Sequence, residues 1–205
     1  MGMETRTKQP DSRTRLLNAA LHTLRAKGYN ATRVEDLCAV AGVTKGSFFH
    51  HFRSKDELAL AAIAHWDELT GGLFAAAAYH ALEDPRERLL AYLDLRSELL
   101  AGELPEYTCL AGMLTQETYL TKPELTDACE RSISGHAASL VADIEAAMQR
   151  YGVEDGWTAE SLALHTQAVL QGAFILAKAR GEAALAAESI AHLRRYIMLL
   201  FRDRT

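Results

Sequence analysis

The stretch TRVEDLCAVAGVTKGSFFHHFRSKDEL, residues 32–58, decides the fold of the first quarter of the chain. Thr32 and Glu35 have the spacing of a capping box, in which each side chain satisfies a backbone N–H at a helix start. Gly42 permits a sharp turn after that helix, because glycine adopts backbone angles that other residues avoid. Hydroxyl side chains predict two further helix starts. They are Thr44, for a short helix through His51, and Ser54, for a long helix from Lys55.

Two short helices joined by a glycine turn are typical of a helix-turn-helix. Cys38 is the small residue at the point where the two helices cross. Their angle would be fixed by an apolar cluster of Leu37, Ala41, Val43, Phe48 and Phe52. Some side chains of the second helix would then face solvent or DNA. They are Lys45, Ser47, Phe49, His50 and His51. Its free N–H groups and its dipole favour phosphate at the amino terminus. The spacing therefore predicts a helix that enters a DNA major groove.

Charge is distributed unevenly along the 205 residues. Residues 1–55 carry ten Lys or Arg and four Asp or Glu, a formal charge of +6, whereas residues 56–205 carry −11. The basic segment indicates a polyanionic partner, and the acidic remainder argues against indiscriminate coating of nucleic acid. A charge gradient without function is the alternative interpretation.

The same stretch resembles the DNA-binding signature of the TetR family of transcriptional regulators. The resemblance rests on Thr32, Asp36, Leu37, Cys38, the run from Ala41 to Phe52, Ser54, Lys55 and Leu58. It implies a homodimeric repressor of nine helices that leaves a near-palindromic double-stranded operator when a small-molecule inducer binds. It also implies that bases or phosphates are contacted by Thr44, Lys45, Ser47 and His50, and that the DNA backbone is held by Lys55. The other predicted DNA-contacting residues are Arg33, Gly46, Phe49 and His51.

Phe49 departs from the family pattern, which usually has tyrosine there with its hydroxyl on a phosphate. A phenyl ring can touch a thymine methyl group or a sugar edge, but it donates no hydrogen bond. His50 and His51 do not predict a metal site, because adjacent helical residues point about 100° apart.

Helix-forming residues dominate the rest of the sequence, and no segment has the period-two alternation of a strand. We predict an all-α, two-domain protein of nine helices. Residues 1–55 form a helix-turn-helix DNA-binding head of three helices, and residues 56–205 form a ligand-binding and dimerisation body. The six helices of the body are expected at 55–80, 85–101, 108–120, 123–152, 158–181 and 184–202.

Composition and motifs also exclude several classes of protein. Three cysteines without a C-x-x-C pair argue against a disulfide framework or a zinc ribbon. No apolar run approaches the roughly 18 residues of a membrane span, and the polar start lacks a signal peptide. We therefore expect a cytoplasmic protein without a membrane partner. Because nucleophile elbows, P-loops, zinc-protease motifs and dinucleotide fingerprints are absent, we predict neither an enzyme nor a cofactor.

Apolar stripes on the last two helices predict a dimer interface, with intramolecular core as the alternative. The interface residues are predicted to be Leu162, Val169, Leu176, Ile190, Leu193, Ile197 and Leu200. Two such helices from each subunit would form a four-helix bundle, and the two-fold pair would read half-sites roughly 34 Å apart.

Aromatic, soft and polar residues of the central helices are candidates for a small-molecule pocket, although each also suits core or surface. The predicted ligand-binding residues are Trp66, Tyr92, Cys109, Met113, Gln116, His136, His165, Gln171 and Phe174. A ligand that fits better when the fourth helix is tilted would move the two heads out of groove register and release DNA. The sequence does not identify this inducer.

The sequence is also compatible with two other functions. Cys109 lies at the start of a predicted helix, where the dipole favours a reactive thiolate, so an oxidant- or electrophile-sensing repressor is one alternative. An inert core thiol is the simpler interpretation of the same residue. The second alternative is an architectural DNA binder without ligand input.

Overall fold

The computed structural model describes residues 10–154 and 156–203, and every regular element within them is helical. The predicted all-α class is confirmed. The head contains three helices, α1 (Ser12–Lys27), α2 (Val34–Ala41) and α3 (Lys45–His51), and α4 (Lys55–Ala75) leads out of it. The remaining helices are α5 (Pro85–Glu98), α6 (Leu104–Tyr107), α7 (Leu110–Thr118), α8 (Pro123–Ala138), α9 (Val141–Tyr151), α10 (Ala159–Arg180) and α11 (Ala184–Leu200), with a 3-10 turn at Ala78–Ala81. The outer limits of both predicted domains, 1 and 205, lie outside the described residues.

The helix count differs from the predicted nine, because eleven α-helices occur in residues 10–154 and 156–203. The long helix expected from Pro123 is two helices. Ser139 ends the first of them: its hydroxyl donates to the carbonyl of His136 at 2.7 Å, in competition with the helical backbone pattern. The other addition is α6, a single turn in which the Glu106 carboxylate accepts from the backbone N–H of Glu103 at 2.9 Å.

Side-chain caps fix most helix starts in the head. Thr44 accepts from the backbone N–H of Ser47, and Ser54 accepts from that of Glu57, each at 3.1 Å, as predicted. The predicted capping box of Thr32 and Glu35 is wrong. Thr32 is buried, and its hydroxyl donates to the carbonyl of Gly28 at 2.6 Å. At α2 it is Asp36 that accepts from a backbone N–H, that of Arg33, at 3.0 Å.

The apolar core of the head does not stop at the end of the predicted first domain. Leu16, Leu37 and Phe48 are fully buried in one cluster that also contains residues of α4, α7 and α8. Leu110 of α7 and Leu125 of α8 belong to this cluster. Burial of large side chains from both segments in a shared core resists their separation. A movement of α7 or α8 is therefore transmitted to the head by direct packing.

Candidate functional site

The exposed side of α3 is the candidate nucleic-acid interface. Gly42, in the left-handed region at φ 62°, turns the chain from α2 into α3. Phe48 and Phe52 are buried as predicted, so they attach α3 to the head. Phe49 is 56% exposed, and Gly46 and His50 are also exposed, with Ser47 half-buried beside them. The solvent-facing side of α3 thus presents small, polar and aromatic groups.

Lys45, at the start of α3, is held by an acidic neighbour. Its ammonium lies 2.5 Å from a carboxylate oxygen of Glu35 on α2, and both side chains are more than half exposed. The hydrogen bond from Lys45 lowers the pKa of Glu35, and the same contact raises the pKa of Lys45. An exposed ion pair of this kind is weak and is screened by salt. A phosphate that approached α3 would therefore compete with Glu35 for Lys45.

Two other predicted DNA contacts are engaged inside the head. Lys55 donates to the backbone carbonyls of Tyr29 at 2.8 Å and Thr32 at 2.9 Å, with its ammonium 4.0 Å from the centre of the Tyr29 ring. His51 is half-buried, with Nε2 2.6 Å from the hydroxyl of Ser12 on α1. Arg33, in contrast, is exposed at the start of α2.

A cavity of about 590 Å³ lies in the body, between α4, the 3-10 turn, α5, α6, α8 and α10. Five of the nine predicted ligand-binding residues line it: Trp66, Cys109, His136, Gln171 and Phe174. The other four do not. Tyr92 is buried behind His136, and Met113 receives the Lys178 ammonium on its sulfur at 3.4 Å. Gln116 and His165 are exposed, the first with its amide on the carbonyl of Gly112.

Arg96 on α5 is the main cavity residue that the sequence analysis missed. Its Nε donates to the Tyr92 hydroxyl at 2.9 Å, and its Nη2 donates to Nε2 of His136 at 2.5 Å. The guanidinium also lies over the ring of Phe74, 4.4 Å from the centre. The sequence did contain one signal, because Arg96 is one turn after Tyr92 on the same helix face.

His136 is neutral in this arrangement. Burial, and secondarily the charge of Arg96, lowers its pKa from 6.5 to about 3. Since the Arg96 and Tyr92 groups both donate towards Nε2, the ring proton is on Nδ1. The ring therefore accepts hydrogen bonds on the Arg96 side without adding positive charge to the cavity.

Arg25 joins the head to the cavity wall and was also missed. This buried α1 residue donates to the carbonyl of Glu106 at 2.8 Å, and its guanidinium lies 4.8 Å from the ring centre of Trp66. Both Glu106 and Trp66 line the cavity. In return, Lys178 of α10 donates to the carbonyl of Arg25 at 3.1 Å. The end of α1 and the cavity thus share a wall.

Known proteins resemble this chain in sequence over part of its length. The pattern of bacterial regulatory proteins of the tetR family matches residues 16–62. The transcriptional regulator AcuR of Cereibacter sphaeroides is 34% identical over 102 residues, which are 50% of this chain and 47% of that protein. The HTH-type transcriptional regulator LmrA of Bacillus subtilis is 31% identical over 124 residues, 60% of this chain and 65% of its own. The chain thus spans about half to two thirds of the length of these relatives. Residues 16–62 thus carry the sequence pattern of the TetR family.

The fold similarity extends further than the sequence similarity. A TetR-family regulator from Agrobacterium tumefaciens superimposes with a TM-score of 0.81 over 93% of this chain and 98% of that one, at 23% identity. The relatives named here are described as regulators, and none as an enzyme. In the part of the chain that the structure describes, no helix is both long and apolar enough to cross a membrane, and no cluster of side chains suits a metal ion.

Most residues of the predicted dimer interface pack against the core of their own subunit. Four of its residues, Leu162, Ile190, Leu193 and Ile197, are at most 4% exposed, because they form the contact of α10 and α11 with the core of their own subunit. Val169 and Leu200 are partly buried against the same core. Leu176 is the exception, at 53% exposed. The apolar side chains that α10 and α11 do expose are Leu164, Ile175, Leu176, Tyr196, Met198 and Leu199.

Proposed function

We propose that this chain is a TetR-family DNA-binding transcriptional regulator that acts as a homodimer and leaves its operator when a small molecule occupies the body cavity. The observation that carries the proposal is the wall shared by head and cavity, in which Arg25 of α1 is hydrogen-bonded to Glu106 and packed on Trp66. A ligand that displaces this wall acts directly on the helix that supports α3. Repression follows where the operator overlaps a promoter.

Base and phosphate recognition is assigned to the exposed side of α3 and to its amino-terminal cap, Thr44. Thr44, Ser47 and His50 would reach base edges or phosphates, with Gly46 allowing close approach and Phe49 packing on a thymine methyl or sugar. Lys45 would exchange Glu35 for a phosphate, and Arg33 would contact the backbone from α2. Since Lys55 and His51 are engaged within the head, we assign them to its internal support.

Dimerisation is assigned to the exposed apolar face of α10 and α11, because an apolar surface of this kind is typical of an interaction site. The rings of His165 on α10 and Tyr196 on α11 meet edge to face, with centres 5.6 Å apart, and so connect the two helices on that face. The test is Leu176→Asp with Leu199→Asp, for which light scattering should give a monomer that has lost operator binding. Leu120→Asp, on a 79% exposed leucine of the α7–α8 turn, is the matched control and should remain dimeric.

The DNA-binding proposal is tested by fluorescence anisotropy on the DNA upstream of the protein's own gene and on a scrambled duplex, at about 150 mM salt to suppress nonspecific attraction. We expect specific binding at least roughly a thousandfold tighter than binding to the scrambled duplex. His50→Ala should weaken specific binding about tenfold or more, whereas Arg202→Ala, on an exposed cation two residues after α11, should not. Equal, weak binding to both duplexes favours an architectural role or an operator elsewhere, which genome-wide selection of bound fragments distinguishes.

Oxidant or electrophile sensing through Cys109 is a second candidate, and one observation favours it. Cys109 lines the cavity and lies near the charges of Arg25 and Lys178, which join that wall to the head. Cys38 and Cys129 are buried, and burial raises the pKa of the Cys129 thiol to about 11. N-ethylmaleimide should then release DNA from the wild type and from Cys129→Ser, but not from Cys109→Ser. Unchanged release in Cys109→Ser contradicts this candidate.

A further inference from the structure

Arg96 places a positive charge in the cavity wall without a carboxylate beside it among the described residues. Its Nε and Nη2 donate to two neutral acceptors, the Tyr92 hydroxyl and His136. Its third nitrogen, Nη1, has no acceptor in the part of the chain that the structure describes. A half-buried guanidinium usually acquires an anionic partner, because withdrawal of the charge from water is unfavourable without one.

Neither acidic residue of the described cavity lining is hydrogen-bonded to Arg96. The Asp67 carboxylate accepts from the hydroxyl of Ser132 at 2.5 Å, and the Glu106 carboxylate caps the backbone N–H of Glu103. The other arginine in the lining, Arg131, is exposed and adds positive charge. The histidine next to Arg96 is neutral. The charge of Arg96 is therefore open to an anion that enters the cavity.

The remaining lining suits an apolar body with few hydrogen bonds. Phe74, Tyr107, Leu170 and Phe174 supply aromatic and aliphatic surface. The Tyr107 hydroxyl is buried and has no hydrogen-bond partner among the described residues. A cavity of about 590 Å³ is within the usual range for small-molecule sites, and its combination of apolar walls with a few polar and charged groups is typical of them.

We infer that the cavity selects an amphipathic monocarboxylate, whose carboxylate pairs with Arg96 and whose alkyl or aromatic body packs among Phe74, Tyr107 and Phe174. Arg96 then determines specificity, because its planar guanidinium matches a carboxylate in charge and in hydrogen-bond geometry. The binding step stands on the cavity alone. Only the release of DNA by such a ligand rests on the proposed function.

The test uses probes that share a body and differ in charge. One set is 4-butylbenzoate, 4-butylbenzamide and 4-butylbenzylamine, and a second pair is decanoate and decanamide. Binding to the full-length protein is measured by calorimetry and by the shift in melting temperature. We expect each carboxylate to bind at least about ten times more tightly than its amide, and the amine to bind more weakly than the amide.

Substitutions of Arg96 separate charge recognition from general packing. In Arg96→Gln the preference for carboxylate over amide should fall to within about threefold, whereas Arg96→Lys should keep part of it. Arg180→Gln, on an exposed arginine at the end of α10 and outside the cavity lining, should match the wild type. Operator binding by Arg96→Gln without a probe verifies that the variant is folded.

The inference is overturned if the wild type binds amides as tightly as carboxylates, if Arg96→Gln keeps the tenfold preference, or if no carboxylate binds at about 1 mM, where ligands of useful affinity stabilise the fold measurably. Anisotropy on operator DNA gives an independent readout. Carboxylate binding through Arg96 that does not release DNA supports the inference and contradicts the proposed mechanism of induction. Specific DNA binding without carboxylate selection supports the proposed regulator function and contradicts the inference about its ligand.

Discussion

Lys55 in the head and Arg96 in the cavity are both half-buried cations packed on an aromatic ring, but their surroundings differ. Lys55 donates to two backbone carbonyls and is followed by Asp56, whose carboxylate is itself paired with Lys122 at 2.6 Å. Arg96 contacts only neutral groups and retains a nitrogen without an acceptor among the described residues. The first arrangement holds a loop to a helix and is complete. The hydrogen bonding of Arg96 is incomplete until a ligand enters. This contrast distinguishes a cation with a structural role from one that recognises a ligand.

The largest expected effect tests whether side-chain packing also differs between the head core and the cavity wall. Phe48→Ala should lower the free energy of unfolding by about 3–5 kcal/mol, because it opens a void in a closed core. Phe174→Ala should cost less than half of that, because its ring already borders the cavity. Urea denaturation of both variants measures the difference. Equal losses would mean that the cavity is closed in solution.

Arg25→Met should have the next largest effect. The substitution leaves the part-buried carbonyl of Glu106 and the buried carbonyl of Thr108 without their donor, which costs about 2–3 kcal/mol. Lys27→Met, on the same helix but exposed and in a loose 3.6 Å ion pair, is the control and should be nearly neutral. Denaturation of both variants checks the expectation, and a neutral Arg25→Met would show that Arg25 does not fix the head to the cavity wall.

The two cations themselves can be compared directly. Lys55→Met should destabilise the protein by about 1–2 kcal/mol, because two carbonyls lose their donor. Arg96→Met should be close to neutral, because the lost hydrogen bonds are offset by removal of a charge that has no anionic partner. Thermal melts in the absence of ligand make the comparison. A larger loss for Arg96→Met would identify Arg96 as a structural residue and reverse the contrast.

Titration of His136 provides a pH test of the cavity. Its pKa is about 3 in the folded protein against 6.5 unperturbed, so its contribution to stability is complete above pH 6.5 and is lost as the pH falls towards 3. In that window the slope attributable to this group approaches about 1.4 kcal/mol per pH unit. His136→Asn should therefore flatten the pH dependence of unfolding between pH 6.5 and 4, and His22→Asn, on an exposed histidine, should not.

The smallest effect concerns the exposed pair at the DNA surface. Glu35→Gln frees Lys45 from its carboxylate, so operator affinity should rise about two- to fivefold at low salt and the gain should shrink as salt increases. Glu188→Gln, which removes an exposed charge from α11, serves as the matched control. Anisotropy at two salt concentrations measures both variants. An unchanged affinity for Glu35→Gln would mean that Lys45 does not reach the DNA.

Local interactions explain which parts of the fold the sequence predicts. The caps at Thr44 and Ser54 and the turn at Gly42 depend on neighbours within four residues, so their spacing was sufficient. The capping box failed because Thr32 is buried and its hydroxyl bonds to the preceding turn, while Glu35 pairs with Lys45 on the next helix. Burial of Thr32 and the contact of Glu35 with another helix therefore prevented the capping box, although its spacing in the sequence is suitable.

The sequence by itself determined the helices, the helix-turn-helix and the separation of a basic head from an acidic body, because periodicity, capping and charge are written along the chain. Only the tertiary structure decided which residues of the apolar stripes are core and which are exposed, since Ile190 and Leu176 were both predicted on such stripes but are 1% and 53% exposed. It alone decided the positions of Arg25 and Arg96 as well. Their decisive partners lie up to 83 residues away, and no local rule relates residues at such separation.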